Sequence, residues 1–332
     1  MTADLVHGGA LDEMRAQFPG APAPWIDLST GINPHPYPDV SISRDALAHL
    51  PNAAIDLACR RAMAEAIGTA PDAIVLAPGS ELMIRLLPEM LRPRDVAILS
   101  PTYGDPGALW RAAGANTIET ANPLDIADQV DTVVICNPNN PDGRTFSPIA
   151  LEAARRTLAA RRGWLVVDEA YGDLDPAASL APKGGADSLV ILRSFGKFFG
   201  LAGVRLGALI APKALRAAMA DRLGAWPVSG AALEIGARAY RDHDWQAETR
   251  KTLVSAAARL ESLLRASGLR VIGGTALFQY VQTPDAHALW RHLGRKGLYV
   301  RRFAWSQQHL RIGLPPNAES ETRLAEALST SG

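Results

Sequence analysis

The sequence predicts an α/β fold: a large domain built on a parallel sheet covered on both faces, and a smaller α+β domain. Three observations predict it. Short, uninterrupted Val/Ile/Leu runs alternate with helix-length segments from about residue 44 onward. One long helical stretch, roughly 244–267, breaks that rhythm. After it come two strands in succession, a helix, two more strands and a last helix, which is the order of a small α+β unit.

Taken in order, the first 40 residues are rich in turn formers: Pro19-Gly20, Pro22, Pro24, then Asn33-Pro-His-Pro-Tyr-Pro38. They read as an extended arm, not a packed unit. Helix-like stretches follow at 53–67, 80–91, 104–113 and 148–162, interleaved with apolar runs at 73–77, 96–99, 131–136, 164–167 and 188–192. Within the long helix, Leu253, Ala257, Leu260 and Leu264 share one stripe, and Gly268 is its stop. Strands near 269–273 and 276–282, a helix 285–296, strands 298–302 and 309–314, and a helix 318–329 complete the chain. The expected domains are therefore 41–225, and 1–40 joined with 226–332.

The 332 residues correspond to two domains at roughly 150 residues each. Hydrophobic residues make up 48% and charged residues 20%, which excludes a disordered, collagen-like or disulfide-built chain. The 34 basic and 34 acidic residues cancel, and zero net charge weighs against a nucleic-acid partner. Cys59 and Cys136 form no CxxC pair, so neither a disulfide framework nor a zinc motif is expected. The start, Met1-Thr-Ala-Asp-Leu-Val-His-Gly-Gly, lacks the apolar core of a signal peptide, and no apolar run approaches the ~20 residues of a membrane helix. A soluble, cytoplasmic protein without a membrane partner is expected.

Five segments carry candidate chemistry, each at a strand end or a helix start, where doubly wound sheets bind ligands. Pro78-Gly79-Ser80-Glu81 offers helix N–H groups to an anion, although Ser80 reads equally as an ordinary cap. Asn137-Pro-Asn-Asn-Pro-Asp-Gly143 is a rigid turn whose amides are also placed to face a ligand. In Trp164-Leu-Val-Val-Asp168-Glu169-Ala170-Tyr171 a carboxylate ends a buried strand. It needs a cationic partner there, or else serves as a cap or structural ion pair. Leu192-Arg-Ser194-Phe-Gly-Lys197 continues to Arg205 through aromatics and glycines, a setting that lowers a lysine pKa and frees its amine as a nucleophile. Finally, residues 286–318 hold six Lys/Arg and no Asp/Glu. Arg301 and Arg311 there share a face if their strands are neighbours; otherwise they belong to a solvated basic surface.

The order Gly-Ser-Glu, Asn-Pro-Asn-Asn-Pro-x-Gly, Asp-x-x-Tyr, Ser-x-x-Lys, Arg resembles the class I/II aminotransferase family of fold type I pyridoxal-phosphate enzymes, over essentially the whole chain. The resemblance implies a large doubly wound, mostly parallel sheet domain, a small α+β domain and a homodimer. It implies that Lys197 forms a Schiff base with pyridoxal 5'-phosphate and that Asp168 pairs with the ring nitrogen. Asn140 and Tyr171 would bind the ring hydroxyl. Gly79, Ser80, Glu81 (through its backbone N–H), Ser194 and Arg205 would hold the cofactor phosphate. Tyr103 would stack on the ring, and Arg311 would grip the substrate carboxylate. Asp142 stands where the family often has Thr. Leu50 stands where relatives place a tyrosine that reaches the partner subunit's cofactor, which leaves Tyr37 as the candidate substitute.

Within the family, His7-Gly8-Gly9, then Ile26-Asp-Leu-Ser-Thr-Gly31-Ile-Asn33-Pro34, resemble the threonine-phosphate decarboxylases of cobalamin biosynthesis. Histidinol-phosphate aminotransferases share the core and are the alternative. The decarboxylase resemblance implies a small phosphorylated amino-acid substrate, L-threonine O-3-phosphate, losing CO2 to give (R)-1-amino-2-propanol O-2-phosphate. His7, Gly8, Gly9, Gly31, Asn33, Asn140, Arg301 and Arg311 are its expected substrate contacts, with Arg301 and the His-Gly-Gly arm on the phosphate.

Overall fold

The computed structural model describes residues 8–330. They form two compact units. The larger holds Pro36–Asn140 and Arg144–Gln246; the smaller holds the residues up to His35, Pro141–Gly143 and those from Ala247 onward. In chain order the elements are α1 (Leu11–Gln17), β1 (Ile26–Leu28), α2 (Arg44–Ala48), α3 (Ala53–Ile67), β2 (Ile74–Ala77), α4 (Ser80–Leu91), β3 (Asp95–Leu99) and α5 (Pro106–Ala112). Then come β4 (Asn116–Thr120), β5 (Thr132–Cys136), α6 (Pro148–Ala160), β6 (Trp164–Asp168), β7 (Leu189–Ser194), α7 (Phe195–Phe198), β8 (Gly207–Ile210) and α8 (Lys213–Leu223). The rest are α9 (Gly230–Arg241), α10 (His243–Ala266), β9 (Arg270–Thr275), β10 (Phe278–Gln282), α11 (Ala286–Arg295), β11 (Leu298–Phe303), β12 (Ser306–Gly313) and α12 (Ala318–Ser329).

Among the described residues, Ser43, Asn52, Asp105, Ser147, Ser229, Asp242, Asp285 and Asn317 stand at helix starts and each accept a backbone N–H from the first turn. α4 differs. Its cap is Gly79, so no side chain takes up its first-turn N–H groups.

The larger unit is a seven-stranded sheet in the order β2-β8-β7-β6-β5-β3-β4. All pairs are parallel except those of β8, which runs antiparallel to both β2 and β7. One face buries Val166, Val190, Leu192 and Leu209 against Met83 and Leu87 of α4 and Met219 of α8. β4 and β8 have no counterpart in the sequence reading. β4 (Asn-Thr-Ile-Glu-Thr) is a largely exposed edge strand without an apolar face. β8 is only four residues long and opens on a glycine. α8 and α9 also lie outside the expected helices; α8 shows little periodic contrast, whereas α9 has a clear apolar face that buries eight residues and packs on α3.

The smaller unit is a five-stranded sheet in the order β1-β11-β12-β10-β9. α10 covers it with the predicted stripe: Leu253, Ala257, Leu260 and Leu264 are all buried. Among the described residues, 8–35 are packed into this unit rather than forming the expected extended arm. β1 pairs parallel to β11, Ile26 opposite Leu298, and Met14, Ile26 and Leu28 are core residues. Phe18 packs edge-on to Trp290 at 5.6 Å, and Arg323 donates to the carbonyls of Pro22 and Pro24. Prolines mask this segment because its only strand is three residues long and draws its hydrogen bonds from a partner about 270 positions away. Among the described residues no helix is long and apolar enough to cross a membrane.

Candidate active site

At the carboxyl edge of the large sheet, β2 turns through Pro78 and Gly79 into α4. Gly79 sits at φ 87°, and a Cβ there would lie 2.5 Å from the Arg205 guanidinium. Only glycine permits both the backbone angle and that approach. A Cβ on Gly207 would likewise lie 2.6 Å from Ser80 N, so β8 passes directly behind the helix start. Ser80 is the first helical residue, not the cap. Arg205 reaches this corner with Nη2 donating to Pro78 O at 3.4 Å. A helix N-terminus and a guanidinium thus converge, an arrangement suited to a phosphate. The Glu81 carboxylate turns away and accepts from Arg85 Nε at 2.8 Å.

β6 ends at Asp168. Its carboxylate opens on a pocket but lies deep within the unit. Loss of water around it raises its pKa to about 6, although the Ala170 N–H (3.1 Å) and the positive charge of Lys197 pull the other way. Lys197 stands on the single turn of α7. That turn is pinned by aromatics: Phe195 stacks on Phe199 at 4.5 Å, Phe199 meets Tyr240 at 4.9 Å, and Phe198 meets Trp245 at 5.6 Å. Phe195, Phe198 and Phe199 are fully buried, so the lysine has a rigid base.

The Asn-Pro loop sorts its three asparagines. Asn137 staples the loop shut, its side chain donating to Phe146 O (3.2 Å) and accepting from Phe146 N (2.8 Å). Asn139 is latched to the next loop, where Thr102 Oγ1 donates to its Oδ1 at 2.7 Å. Asn140 is the one that lines the pocket. The Thr102–Asn139 pairing spans 37 positions and has no local signal in the sequence.

The pocket is a cavity of about 110 Å³ lined by Ser80, Glu81, Tyr103, Cys136, Asn140, Asp168, Ala170, Tyr171, Ser194, Lys197 and Arg205. Except for Gly79, which shapes its rim, every larger-unit residue expected at the site borders it. A smaller apolar cavity of about 40 Å³, walled by Ile84, Leu87, Trp110, Val166 and Leu192, shares Tyr103, Cys136 and Asp168 with it. Tyr171 is buried and Tyr103 half-exposed.

Tyr37 does not have the role suggested for it. It is buried and packed edge-on to Trp245 at 5.1 Å. Burial raises its pKa, as do the charge of Asp242 and a hydrogen bond to the Asp242 carboxylate, so its hydroxyl is engaged within its own chain. Leu50 is exposed.

In the smaller unit, Arg301 and Arg311 are direct register partners on β11 and β12, so both point to one face of the sheet. Arg311 is buried. It lies over the Phe278 ring, 4.9 Å from the centroid, and donates through Nη2 to Ser29 O at 2.5 Å. Ser29 Oγ in turn accepts from Gly9 N at 2.8 Å, and a Cβ on Gly8 would lie 2.7 Å from Ser29 O. Ser29 therefore connects Gly8 and Gly9 to Arg311. Gly31 and Asn33 follow on the same buried segment, with Asn33 Oδ1 accepting from His35 N at 2.9 Å. His7 lies outside the described residues.

The family model described as aminotransferase class I and II matches residues 23–328. A threonine-phosphate decarboxylase from Sinorhizobium sp is 39% identical over 331 residues, covering 99% of both chains. Another, from Pseudomonas aeruginosa, is 39% identical over 326 residues, covering 98% of this chain and 97% of the relative. The fold is that of histidinol-phosphate aminotransferase from Sinorhizobium meliloti, solved in complex with pyridoxal-5'-phosphate. It superposes with a TM-score of 0.82 at 20% identity, covering 99% of this chain and 95% of that one.

Proposed function

The chain belongs to the aminotransferase class I and II family, and from that premise we propose that it is a pyridoxal 5'-phosphate enzyme that decarboxylates L-threonine O-3-phosphate. One observation carries the reading: a single cavity brings together a deep carboxylate, a lysine amine and an arginine beside an uncapped helix start. The choice of reaction rests on the full-length similarity to two threonine-phosphate decarboxylases.

The residues fit the cofactor. The Gly79–Arg205 corner is kept open by the missing Cβ and suits a phosphate monoester, held by Ser80, Ser194, Arg205 and the Glu81 N–H. Asp168, costly to keep ionised alone, gains a partner in a protonated ring nitrogen. Asn140 and Tyr171 bind the ring hydroxyl, Tyr103 covers the ring, and Lys197 holds the cofactor covalently. When bound, pyridoxal phosphate supplies the electron sink that takes up the pair left behind by CO2.

The chain's own residues decide which bond breaks. A bond at the substrate Cα is labile when it stands perpendicular to the ring plane, so rotation about Cα sets the reaction. Arg311 grips the carboxylate as a fork. Arg301, with the His7-Gly8-Gly9 arm, holds the substrate phosphate and fixes the rotation, while Gly31 and Asn33 contact the substrate. Lys197 then delivers the proton to Cα. The product, (R)-1-amino-2-propanol O-2-phosphate, supplies the aminopropanol linker of cobalamin. The enzyme works as a homodimer in the cytoplasm.

The test is to incubate the loaded protein with L-threonine O-3-phosphate, with and without 2-oxoglutarate. CO2 release independent of the oxo acid is expected. Glutamate formation without CO2 would instead identify a histidinol-phosphate-type aminotransferase.

A further inference from the structure

Behind the pocket, the two strand ends that carry Asp168 and Lys197 are joined by a buried ion triad that the reaction does not use. β6 and β7 run parallel, with Asp168 opposite Leu192 and Glu169 N donating to Leu192 O at 2.9 Å. Asp168 and Ser194 border the cavity, while their neighbours Glu169 and Arg193 are almost wholly enclosed, each 1% exposed. Arg193 Nη1 donates to Glu169 Oε2 at 2.9 Å, and Nη2 donates to Asp173 Oδ1. Glu169 also accepts from Leu180 N at 2.8 Å and from Ser179 Oγ at 2.5 Å. Burial opposes the guanidinium's charge, and Asp173 and Glu169 more than offset it, keeping the pKa above its ordinary value. A Cβ on Gly172 would lie 2.2 Å from Arg193 Nη1, so glycine between Tyr171 and Asp173 makes room for the fork.

Such a triad is not the most stable way to fill a core. Apolar side chains of the same volume often do as well or better, because each charge must first be stripped of water. Its location suggests what it does instead. Glu169 directly follows Asp168, Arg193 directly precedes Ser194 and stands four residues before Lys197, and Asp173 lies two beyond Tyr171.

We propose that Arg193, Glu169 and Asp173 are positioning residues. The two-armed arginine ties the loop leaving β6 to the last residues of β7, directly before the turn that carries Lys197, and so fixes the separation of Asp168 from Lys197. This rests on the reading of Asp168 and Lys197 as cofactor residues. The triad touches neither cofactor nor substrate; it acts through the residues adjoining it in sequence. A displacement of about 1 Å at reacting groups can cost ~10²-fold in rate.

The test uses the cofactor-loaded protein and two variants. Arg193→Lys retains a charge but cannot bridge two carboxylates in a fixed fork. Asp173→Asn is isosteric and leaves the Glu169 bond in place. The expected result for each is a kcat roughly 10- to 100-fold lower, with KM for threonine phosphate within about twofold, since the substrate anions are held by Arg301 and Arg311. The pH midpoint of the visible absorbance of the bound cofactor also shifts. A lower Tm with parental kcat and midpoint would make the triad merely structural and overturn the proposal. Should Arg193→Lys fail to fold, Asp173→Asn decides by the same readouts. A parent protein that develops no visible absorbance with the cofactor would overturn the functional reading, and the triad's role with it. A normal parent with unshifted variants would overturn the triad alone.

Discussion

Arg301 and Arg311 are Cα register partners on antiparallel β11 and β12. Like charges directly opposite one another in a sheet repel. Phe303 lies 5.7 Å from the Arg301 guanidinium and Phe278 4.9 Å from that of Arg311, so an aromatic ring backs each one. A substrate bearing both a carboxylate and a phosphate matches two guanidiniums on one face of the sheet. A hydrogen bond to a charged group contributes about 1.5–3 kcal/mol. Arg301→Ala is therefore expected to raise KM for threonine phosphate by about tenfold or more. An unchanged KM would remove Arg301 from the phosphate site.

Asp168 makes stability depend on pH in a stated direction. Its pKa in the folded chain is raised from 3.8 to about 6. Between those values the folded state holds a proton that the unfolded state has lost, so stability falls as pH rises through that window. Two units correspond to about 3 kcal/mol at most. In the cofactor-free protein, Asp168→Asn is expected to be more stable than the parent above pH 6 and equal to it below pH 4, as read by urea unfolding. With cofactor bound the order reverses, because the neutral amide cannot pair with a protonated ring nitrogen. A parent stability that is flat across this window would show that Asp168 keeps an ordinary pKa.

Gly79→Ala places a methyl group 2.5 Å from Arg205 at a backbone angle that alanine rarely adopts. The backbone cost is on the order of 1 kcal/mol. The larger effect should fall on the phosphate corner, with cofactor affinity weakened at least about tenfold in a fluorescence titration, the equivalent of one lost charged contact. Parental affinity would mean that the cofactor phosphate sits elsewhere.

Lys197→Ala removes the only amine among the described residues that line the pocket. Borohydride treatment of the loaded parent is expected to fix one cofactor mass on the peptide carrying Lys197; the variant should acquire none. A cofactor mass still fixed in the variant would place the covalent attachment on another lysine.

The sequence by itself determined the order of the elements and the chemistry at the strand ends. Apolar runs, helix caps and a glycine before a helix are local signals, written within a few residues of the feature they specify. Helices 53–67 and 80–91, the stripe of α10 and the placement of Asp168, Ser194 and Lys197 at the pocket were all legible this way. Other features depended on what lies across the fold. The strand Ile26–Leu28 exists because β11 supplies its hydrogen bonds. Asn140 rather than Asn137 faces the pocket because Phe146 occupies the first asparagine. Tyr37 turns inward because Trp245 and Asp242 receive it. Glu169 and Arg193 look like ordinary neighbours of site residues until parallel pairing sets them side by side, 24 positions apart in sequence, away from water. Burial and long-range pairing are properties of the folded chain, and only the tertiary structure decided them.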